Sequence, residues 1–237
     1  MKTLLIKAKH NLQRAKSVRH LFIVLFLLSS QLFSQDSQKL TAYFTPEFKQ
    51  TFQKTYGRQS SQLFSQWVSL MEDNEDKDDW QKMRLVNHFF NKQITFVDDI
   101  IHWKEKDYWA TPIEFIGTGG GDCEDFALAK YFTLKAMGVA PDKMRLMYVR
   151  ALAYNQAHMV LIYSETVSEM PLVLDNLNHN ILPANRRPDL KPIYSFNGDG
   201  LWLAKAKGLG KKIKGKGDVA RWEDIVTRIE RKEFKTN

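Results

Sequence analysis

The one cysteine of the chain, Cys123, lies in a segment whose composition suits a nucleophile. Residues 119–125 read GGGDCED, so three glycines precede the cysteine and acids flank it. Glycines let the backbone turn sharply and approach a substrate, and a helix that begins at Cys123 places the sulfur at the positive end of its dipole. A thiolate is stabilised there. Because a buried, inert cysteine would prefer apolar neighbours, the segment favours a reactive thiol.

A nucleophilic cysteine requires a base, and two predicted strands offer one. His158 opens the apolar run HMVLIY, and Asp175 nearly closes the run LVLDN. If these strands form a hairpin with 158 opposite 175, the turn falls in the polar stretch 164–169 and Val160 pairs with Val173. This arrangement predicts that His158 accepts the thiol proton and that Asp175 orients the imidazole.

The acids beside the thiol are Asp122, Glu124 and Asp125. Negative charge next to a thiol raises its pKa and disfavours the thiolate. A bound hard cation would cancel that effect, and oxygen ligands at a helix start suit Ca²⁺ better than Zn²⁺. Acids in this position are also ordinary partners of a helix dipole, so the residues alone leave both interpretations open.

The elements that must position these residues follow an α+β order. A helix from Thr45 to Gly57 and further helical periodicity up to Phe90 predict an N-terminal helical layer. The segment 126–137 has a helical pattern that Gly138 can end. Short polar loops separate three β-rich runs, which predict an antiparallel meander. These runs are residues 144–150, 158–163 and 172–176. The expected fold is α+β, with a central helix that carries the nucleophile packed on an antiparallel sheet.

The N-terminal segment has the composition of a targeting signal. Residues 1–20 carry six Lys or Arg and no acid, and residues 21–28 are wholly apolar. A membrane-spanning helix needs about 20 apolar residues. We therefore predict that residues 1–34 are a signal peptide cut near Ser34, with an uncleaved amphipathic anchor as the alternative.

The charge of the rest of the chain argues against nucleic-acid binding. The formal net charge is +8, but without residues 1–34 the remaining 29 basic and 27 acidic residues give only +2. The basic excess is therefore mostly a targeting feature. One cysteine also excludes an intrachain disulfide, so a free thiol in an exported protein calls for burial or use.

The C-terminal part differs from the domain predicted for residues 35–203. Residues 204–237 comprise a Gly- and Lys-rich basic linker and a helix that Asp218 caps, with Trp222 on its apolar face. This helix either docks on the core or binds a partner, and the pattern favours docking.

Several segments together resemble the bacterial transglutaminase-like cysteine proteinases. The resemblance covers about residues 44–202. Its motifs are YWATPIEF at 108–115, GGGDCEDFALAKYFTLKAMGV at 119–139, HMVL at 158–161, LVLDN at 172–176 and RPDLKPIYSFN at 187–197.

The resemblance implies a papain/transglutaminase-like α+β fold and a triad of Cys123, His158 and Asp175. It also implies calcium dependence through Asp122 and Glu124, with Asp125 as a third ligand. The Cys123 amide is the first candidate for the oxyanion hole, and the indole of Trp103 or Trp109 is another.

Within this family the chain is most similar to periplasmic proteases of surface adhesins. That similarity implies cleavage near the N-terminus of a very large adhesin, release of cells from a biofilm, and inhibition by the periplasmic domain of an inner-membrane cyclic-di-GMP receptor. A transglutaminase, a deamidase or a cell-wall peptide hydrolase would use the same acyl-cysteine chemistry. A non-catalytic regulator that binds calcium and a receptor is a further alternative.

Overall fold

The computed structural model describes Leu40 and residues 44–203, 211–214 and 220–236. The predicted signal peptide, residues 1–34, and much of the basic linker lie outside these residues, so both stay predictions. Within the described residues, none of the helices combines the length and the apolar character that crossing a membrane requires.

The helical layer begins with two long helices. Helix α1 spans Pro46–Glu72, and the Thr45 side chain caps it by accepting a hydrogen bond from Phe48 N–H. Gly57, expected to end this helix, has a φ of 89° and kinks it, but the helix resumes and runs on to Glu72. Helix α2 spans Asp79–Gln93. Strand β1 (Thr95–Phe96) and the short helices α3 (Asp99–His102) and α4 (Pro112–Thr118) follow.

The central helix α5 spans Cys123–Ala136, so it begins at the cysteine as predicted. Strand β2 (Gly120–Gly121) precedes it and pairs in parallel with β1. Helix α5 packs on α2 and on the sheet. Its residues Phe126, Ala127, Leu128 and Leu134 are at most 3% exposed. Gly138, with a φ of +88°, follows its C-cap.

Within the described residues, seven antiparallel strands form the main sheet in the order β6-β5-β4-β3-β7-β8-β9. The predicted three-strand meander forms the β5-β4-β3 part of this sheet. The strands are β3 (Met144–Ala151), β4 (Gln156–Tyr163), β5 (Leu172–Leu174), β6 (Leu182–Pro183), β7 (Leu190–Asn197), β8 (Gly200–Leu203) and β9 (Lys212–Lys214). Strand β7 pairs with β3 on the side away from β4, which the sequence did not predict.

The predicted β4–β5 register was wrong by two residues. Ile162, not Val160, pairs with Val173. The predicted register would have placed Pro171 opposite Ile162, but proline has no N–H for the ladder, and pairing begins after it at Leu172. A shift of two preserves the face of every side chain. His158 and Asp175 therefore still share one face of the sheet, as diagonal rather than direct neighbours.

Two apolar clusters cover the two faces of the sheet. The larger one fills the space between the helices and the sheet and contains Met159, Leu161 and Tyr163 of β4. The smaller one lies on the opposite face and contains Val160 and Ile162. Strand β4 is thus buried on both faces, which explains its unbroken apolar sequence.

The C-terminal helix α6, Ala220–Arg231, docks on the core, as the sequence favoured. Trp222 is 8% exposed; its ring stacks on Phe132 at a centroid distance of 5.5 Å and meets Tyr131 edge-on at 5.0 Å. The predicted cap Asp218 lies outside the described residues.

We expect Trp222→Ala to lower the free energy of unfolding by about 3–5 kcal/mol, because it leaves a cavity between α6 and α5. Chemical denaturation measures this loss. Glu223 is exposed on the same helix, so Glu223→Ala is the matched control and should change little. Equal stability of the two variants would contradict the docked position of α6.

Candidate active site

The glycines before Cys123 allow a tight approach of the backbone to its surroundings. Gly119 caps α4 in the left-handed region, at φ 71°. A Cβ on Gly121 would overlap the Asp125 carboxylate and the Phe115 ring. Asp125 accepts hydrogen bonds from Ala110 N–H at 2.7 Å and Asp122 N–H at 3.2 Å. These contacts fix the first turn of α5 and thus the position of Cys123.

The Cys123 thiol donates a hydrogen bond to Glu124 Oε2 at 3.0 Å. Burial raises the pKa of the thiol well above its usual range, and the negative charges of Glu124 and Asp122 raise it further. The backbone N–H of Met159 faces the sulfur and partly opposes this rise. The acids beside Cys123 therefore disfavour its thiolate, as the sequence indicated.

His158 and Asp175 form a direct pair. His158 Nε2 lies 2.8 Å from Asp175 Oδ1, and both side chains are at most 3% exposed. An ionised carboxylate only accepts hydrogen bonds, so Nε2 carries the proton and Nδ1 is left as the basic nitrogen. Burial alone would raise the pKa of Asp175, but hydrogen bonds from His158, Leu177 N–H and Arg187 lower it to about 2. Asp175 is therefore a charged carboxylate that holds the imidazole through Nε2.

Cys123 lies beside strand β4 at Met159, the residue next to His158. The Met159 N–H faces its sulfur, and β5 pairs with β4 only from Leu161 to Tyr163, which leaves β4 uncovered by β5 near His158. His158 alternates with Val160 on one face, whereas Met159 faces the core that contains α5. The sulfur thus lies beside the β4 backbone on the side of the larger cluster, while its hydrogen bond goes to Glu124.

Acids from three segments meet beside the thiol. Within the described residues, ligand oxygens of Asp99, Asp107 and Glu124 lie within 4.8 Å of one another, as do those of Asp99, Asp122 and Asp125. The Oδ1 atoms of Asp99 and Asp122 are buried with no hydrogen-bond partner among the described residues. Such orphaned oxygens suit a hard divalent cation, so the site fits Ca²⁺.

The electrostatics of these acids agree with that fit. Burial, followed by nearby acids such as Glu124, raises the pKa of Asp99 to about 6 and that of Asp122 to about 11. The same causes raise the pKa of Asp125, whose oxygens already accept two backbone N–H bonds. Unscreened acids so close together require a proton or a cation.

Sequence reasoning missed Asp99 and Asp107. Asp99 is the first residue of α3, and Asp107 directly precedes the YWATPIEF motif. Tyr108 N–H donates to Asp99, and this bond ties the two acids' segments together. The only signal available was the concentration of acids before a recognisable motif.

The indoles proposed for the oxyanion hole differ in their partners. Trp109 Nε1 donates to Asp107 Oδ1 at 3.1 Å, so its N–H is occupied. Trp103 Nε1 is buried with no hydrogen-bond partner among the described residues. Of the two, Trp103 keeps a donor available, and its role stays a prediction.

A cleft of about 480 Å³ lies one side chain away from the His158–Asp175 pair, and none of Cys123, His158 and Asp175 lines it. Arg187, which contacts Asp175, forms part of its wall, together with the β3–β4 turn and the loop after β5. Tyr154 and Leu177 in the wall are 62% and 41% exposed. The cleft therefore offers apolar contacts to a chain that approaches the pair.

Asp175 should give the protein an acid-sensitive stability. Its pKa falls from 3.8 in the unfolded chain to about 2 in the fold. Because the pKa is lower in the fold, ionised Asp175 stabilises the protein at any pH above the unfolded pKa, and this stabilisation is lost as the pH falls toward 2. Its contribution to the free energy of unfolding is about 2 kcal/mol. Denaturant unfolding between pH 5 and pH 2.5 measures this loss. Asp175→Asn should flatten the slope, whereas Asp142→Asn, at an exposed carboxylate, should keep it. If the free energy of unfolding of Asp175→Asn fell with pH as steeply as that of the wild type, the low pKa of Asp175 would be contradicted.

Comparisons with known proteins identify the family. The model of the bacterial transglutaminase-like cysteine proteinases matches residues 66–189. The structure of EGTA-treated LapG from Legionella pneumophila is 43% identical, with a TM-score of 0.68, over 78% of this chain and 97% of that one. Calcium-bound LapG from the same organism is 42% identical, with a TM-score of 0.67, over 78% and 98%. No curated protein matches the chain. With its α+β fold and these similarities, the chain belongs to the bacterial transglutaminase-like cysteine proteinases.

Proposed function

We propose that the protein is a calcium-dependent periplasmic cysteine endopeptidase with Cys123 as nucleophile, His158 as base and Asp175 as orienting acid. The observation that carries this proposal is the buried 2.8 Å pair of His158 and Asp175, since His158 directly precedes Met159, whose N–H faces the Cys123 sulfur. Membership of a cysteine proteinase family supports the same chemistry.

The mechanism follows from the roles of the three side chains. His158 Nδ1 accepts the thiol proton, and the Cys123 thiolate attacks the scissile carbonyl to form an acyl-enzyme. The imidazolium then gives its proton to the leaving amine, and water, deprotonated by the same imidazole, releases the acid product. Asp175 holds the Nε2–H tautomer and stabilises the imidazolium charge.

The acids near the nucleophile are the proposed calcium ligands. Asp122, Glu124 and Asp125, the predicted ligands, would hold the ion together with Asp99 and Asp107, and Asp125 would also support the loop through its backbone hydrogen bonds. Bound there, Ca²⁺ would neutralise negative charge beside the thiol. One LapG structure is calcium-bound and another is EGTA-treated, which supports a calcium site in this family.

The proposed substrate is the N-terminal region of a large cell-surface adhesin, whose cleavage would release cells from a biofilm. The proposed regulator is the periplasmic domain of an inner-membrane cyclic-di-GMP receptor, which would inhibit the enzyme. The similarity to LapG supports this assignment. The cleft near Tyr154 and Leu177 is a suitable place for an extended peptide.

Substrate class is tested by offering the enzyme a purified N-terminal adhesin fragment from the same genome and, separately, peptidoglycan. Each reaction is run with calcium and with chelator. We expect calcium-dependent cleavage of the adhesin fragment and no release of muropeptides. Muropeptide release without protein cleavage would instead assign a cell-wall peptide hydrolase, and amine incorporation without cleavage would assign a transglutaminase.

A further inference from the structure

Arg187 is a buried cation that contacts the carboxylate of the candidate triad. The residue follows a 3-10 helix, Ala184–Arg186, and is 3% exposed. Its Nη2 donates to Asp175 Oδ2 at 2.6 Å and to Asp189 Oδ2 at 2.7 Å, and its Nε donates to Asp189 Oδ1 at 3.0 Å. The guanidinium thus joins Asp175 to a second carboxylate.

Both oxygens of the Asp175 carboxylate accept hydrogen bonds. Oδ1 accepts from His158 Nε2 and from Leu177 N–H at 3.0 Å, while Oδ2 accepts from Arg187. Arg187 reaches Asp175 through one N–H, while its forked, two-nitrogen contact goes to Asp189, so Asp189 fixes the plane of the guanidinium that holds Asp175. Since the imidazole is held by the same carboxylate, its orientation depends on where Arg187 lies.

Asp189 anchors the guanidinium from the other side. It binds Arg187 through both oxygens, and its own carbonyl accepts a hydrogen bond from Leu152 N–H, next to β3, at 2.8 Å. The Asp189 side chain is 47% exposed, so it remains hydrated while it holds the buried cation. The chain of contacts therefore runs from the main sheet through Asp189 and Arg187 to Asp175.

We propose that Arg187, held by Asp189, is a positioning residue that sets the orientation of the His158–Asp175 pair. This inference rests on the proposed function and extends it beyond the three triad residues. Arg187 acts through Asp175 and touches neither the nucleophile nor the scissile bond. Its loss should lower kcat with little change in KM, because the substrate is still bound while the base is misaligned.

The kinetic test compares variants along this chain of contacts with a matched control. Arg187→Gln should lower kcat by about 100-fold. Arg187→Lys should be similarly slow, although it keeps the charge, because a lysine cannot make the forked contact with Asp189. Asp189→Asn keeps the cation but weakens its anchor, at a half-exposed site that tolerates substitution, and should lower kcat by about 10-fold. Arg186→Gln, at the exposed neighbouring arginine, should leave kcat unchanged.

An NMR experiment detects the hydrogen bond between His158 and Asp175 without requiring catalysis. In the Cys123→Ala background, the His158 Nε2–H proton should give a downfield NMR signal that shifts upfield or broadens in Asp189→Asn and Arg187→Gln, but not in Arg186→Gln. An unchanged signal together with unchanged kcat in Asp189→Asn would overturn the proposal, even if Arg187→Gln fails to fold. If the wild-type protein cleaves no peptide, the proposed function fails, but the NMR comparison still decides whether Arg187 orients the pair.

Discussion

Replacing Cys123 with alanine is expected to abolish cleavage, with kcat falling by at least about 10⁴-fold, because the acyl-enzyme cannot form without the thiol. The measurement is cleavage of the adhesin fragment by the purified variant in calcium. The chain has no other cysteine that could substitute. Cys123→Ser places a weaker nucleophile at the same position and should be nearly as inactive.

The control for this prediction is the folded state of the variant. Cys123 is only partly buried at the helix start, so alanine should leave the cooperative unfolding transition and calcium binding unchanged. A folded Cys123→Ala protein that still cleaves the adhesin fragment would rule out the thiol as nucleophile. Such a result would favour the alternative of a regulator that acts through binding.

Removal of calcium is expected to abolish activity and to slow alkylation of Cys123 by iodoacetamide at neutral pH by at least about tenfold. Glu124 and Asp122 raise the thiol pKa when their charge is not neutralised, and Glu124 also accepts the thiol hydrogen bond. A raised thiol pKa lowers the fraction of thiolate at neutral pH, and the thiolate is the form that iodoacetamide alkylates. Alkylation followed by intact mass, with calcium or with chelator, measures the effect.

Glu124→Gln is the matched control for the calcium prediction. It removes one of the charges that suppress the thiolate, so in chelator this variant should be alkylated faster than the wild type. Circular dichroism must show folded protein in both conditions, since loss of a metal can also unfold its site. Equal alkylation rates of the wild type with and without calcium would limit calcium to a structural role.

Local sequence patterns predicted the elements that carry the candidate triad. The helix begins at Cys123 and His158 lies on β4, whereas Asp175, expected within the next strand, directly follows β5, which ends at Leu174. The predicted register was wrong by two residues, but His158 and Asp175 still meet. Side chains alternate between faces with a period of two, so a shift of two residues keeps both side chains on one face. The error itself came from Pro171, whose missing N–H delays the start of β5 pairing.

The residues that the sequence did not predict are those brought in by long-range packing. Asp99 lies 24 positions before Cys123 and reaches it only through the folding of the α3–α4 segment. Arg187 lies 12 positions after Asp175, directly after the 3-10 helix that follows β6, and no periodic pattern indicates the direction of its side chain. Hydrophobic periodicity predicts single helices and strands, and it does not predict which loops come into contact.

The most direct test of the central claim is a crystal structure of the calcium-loaded protein, in which the positions of Cys123 Sγ and His158 Nδ1 are measured. With Glu124 engaged by the ion, we expect the sulfur to lie within hydrogen-bonding reach of Nδ1 while Nε2 remains bound to Asp175. An imidazole that stays out of reach of the sulfur, or that has left Asp175, would contradict the account.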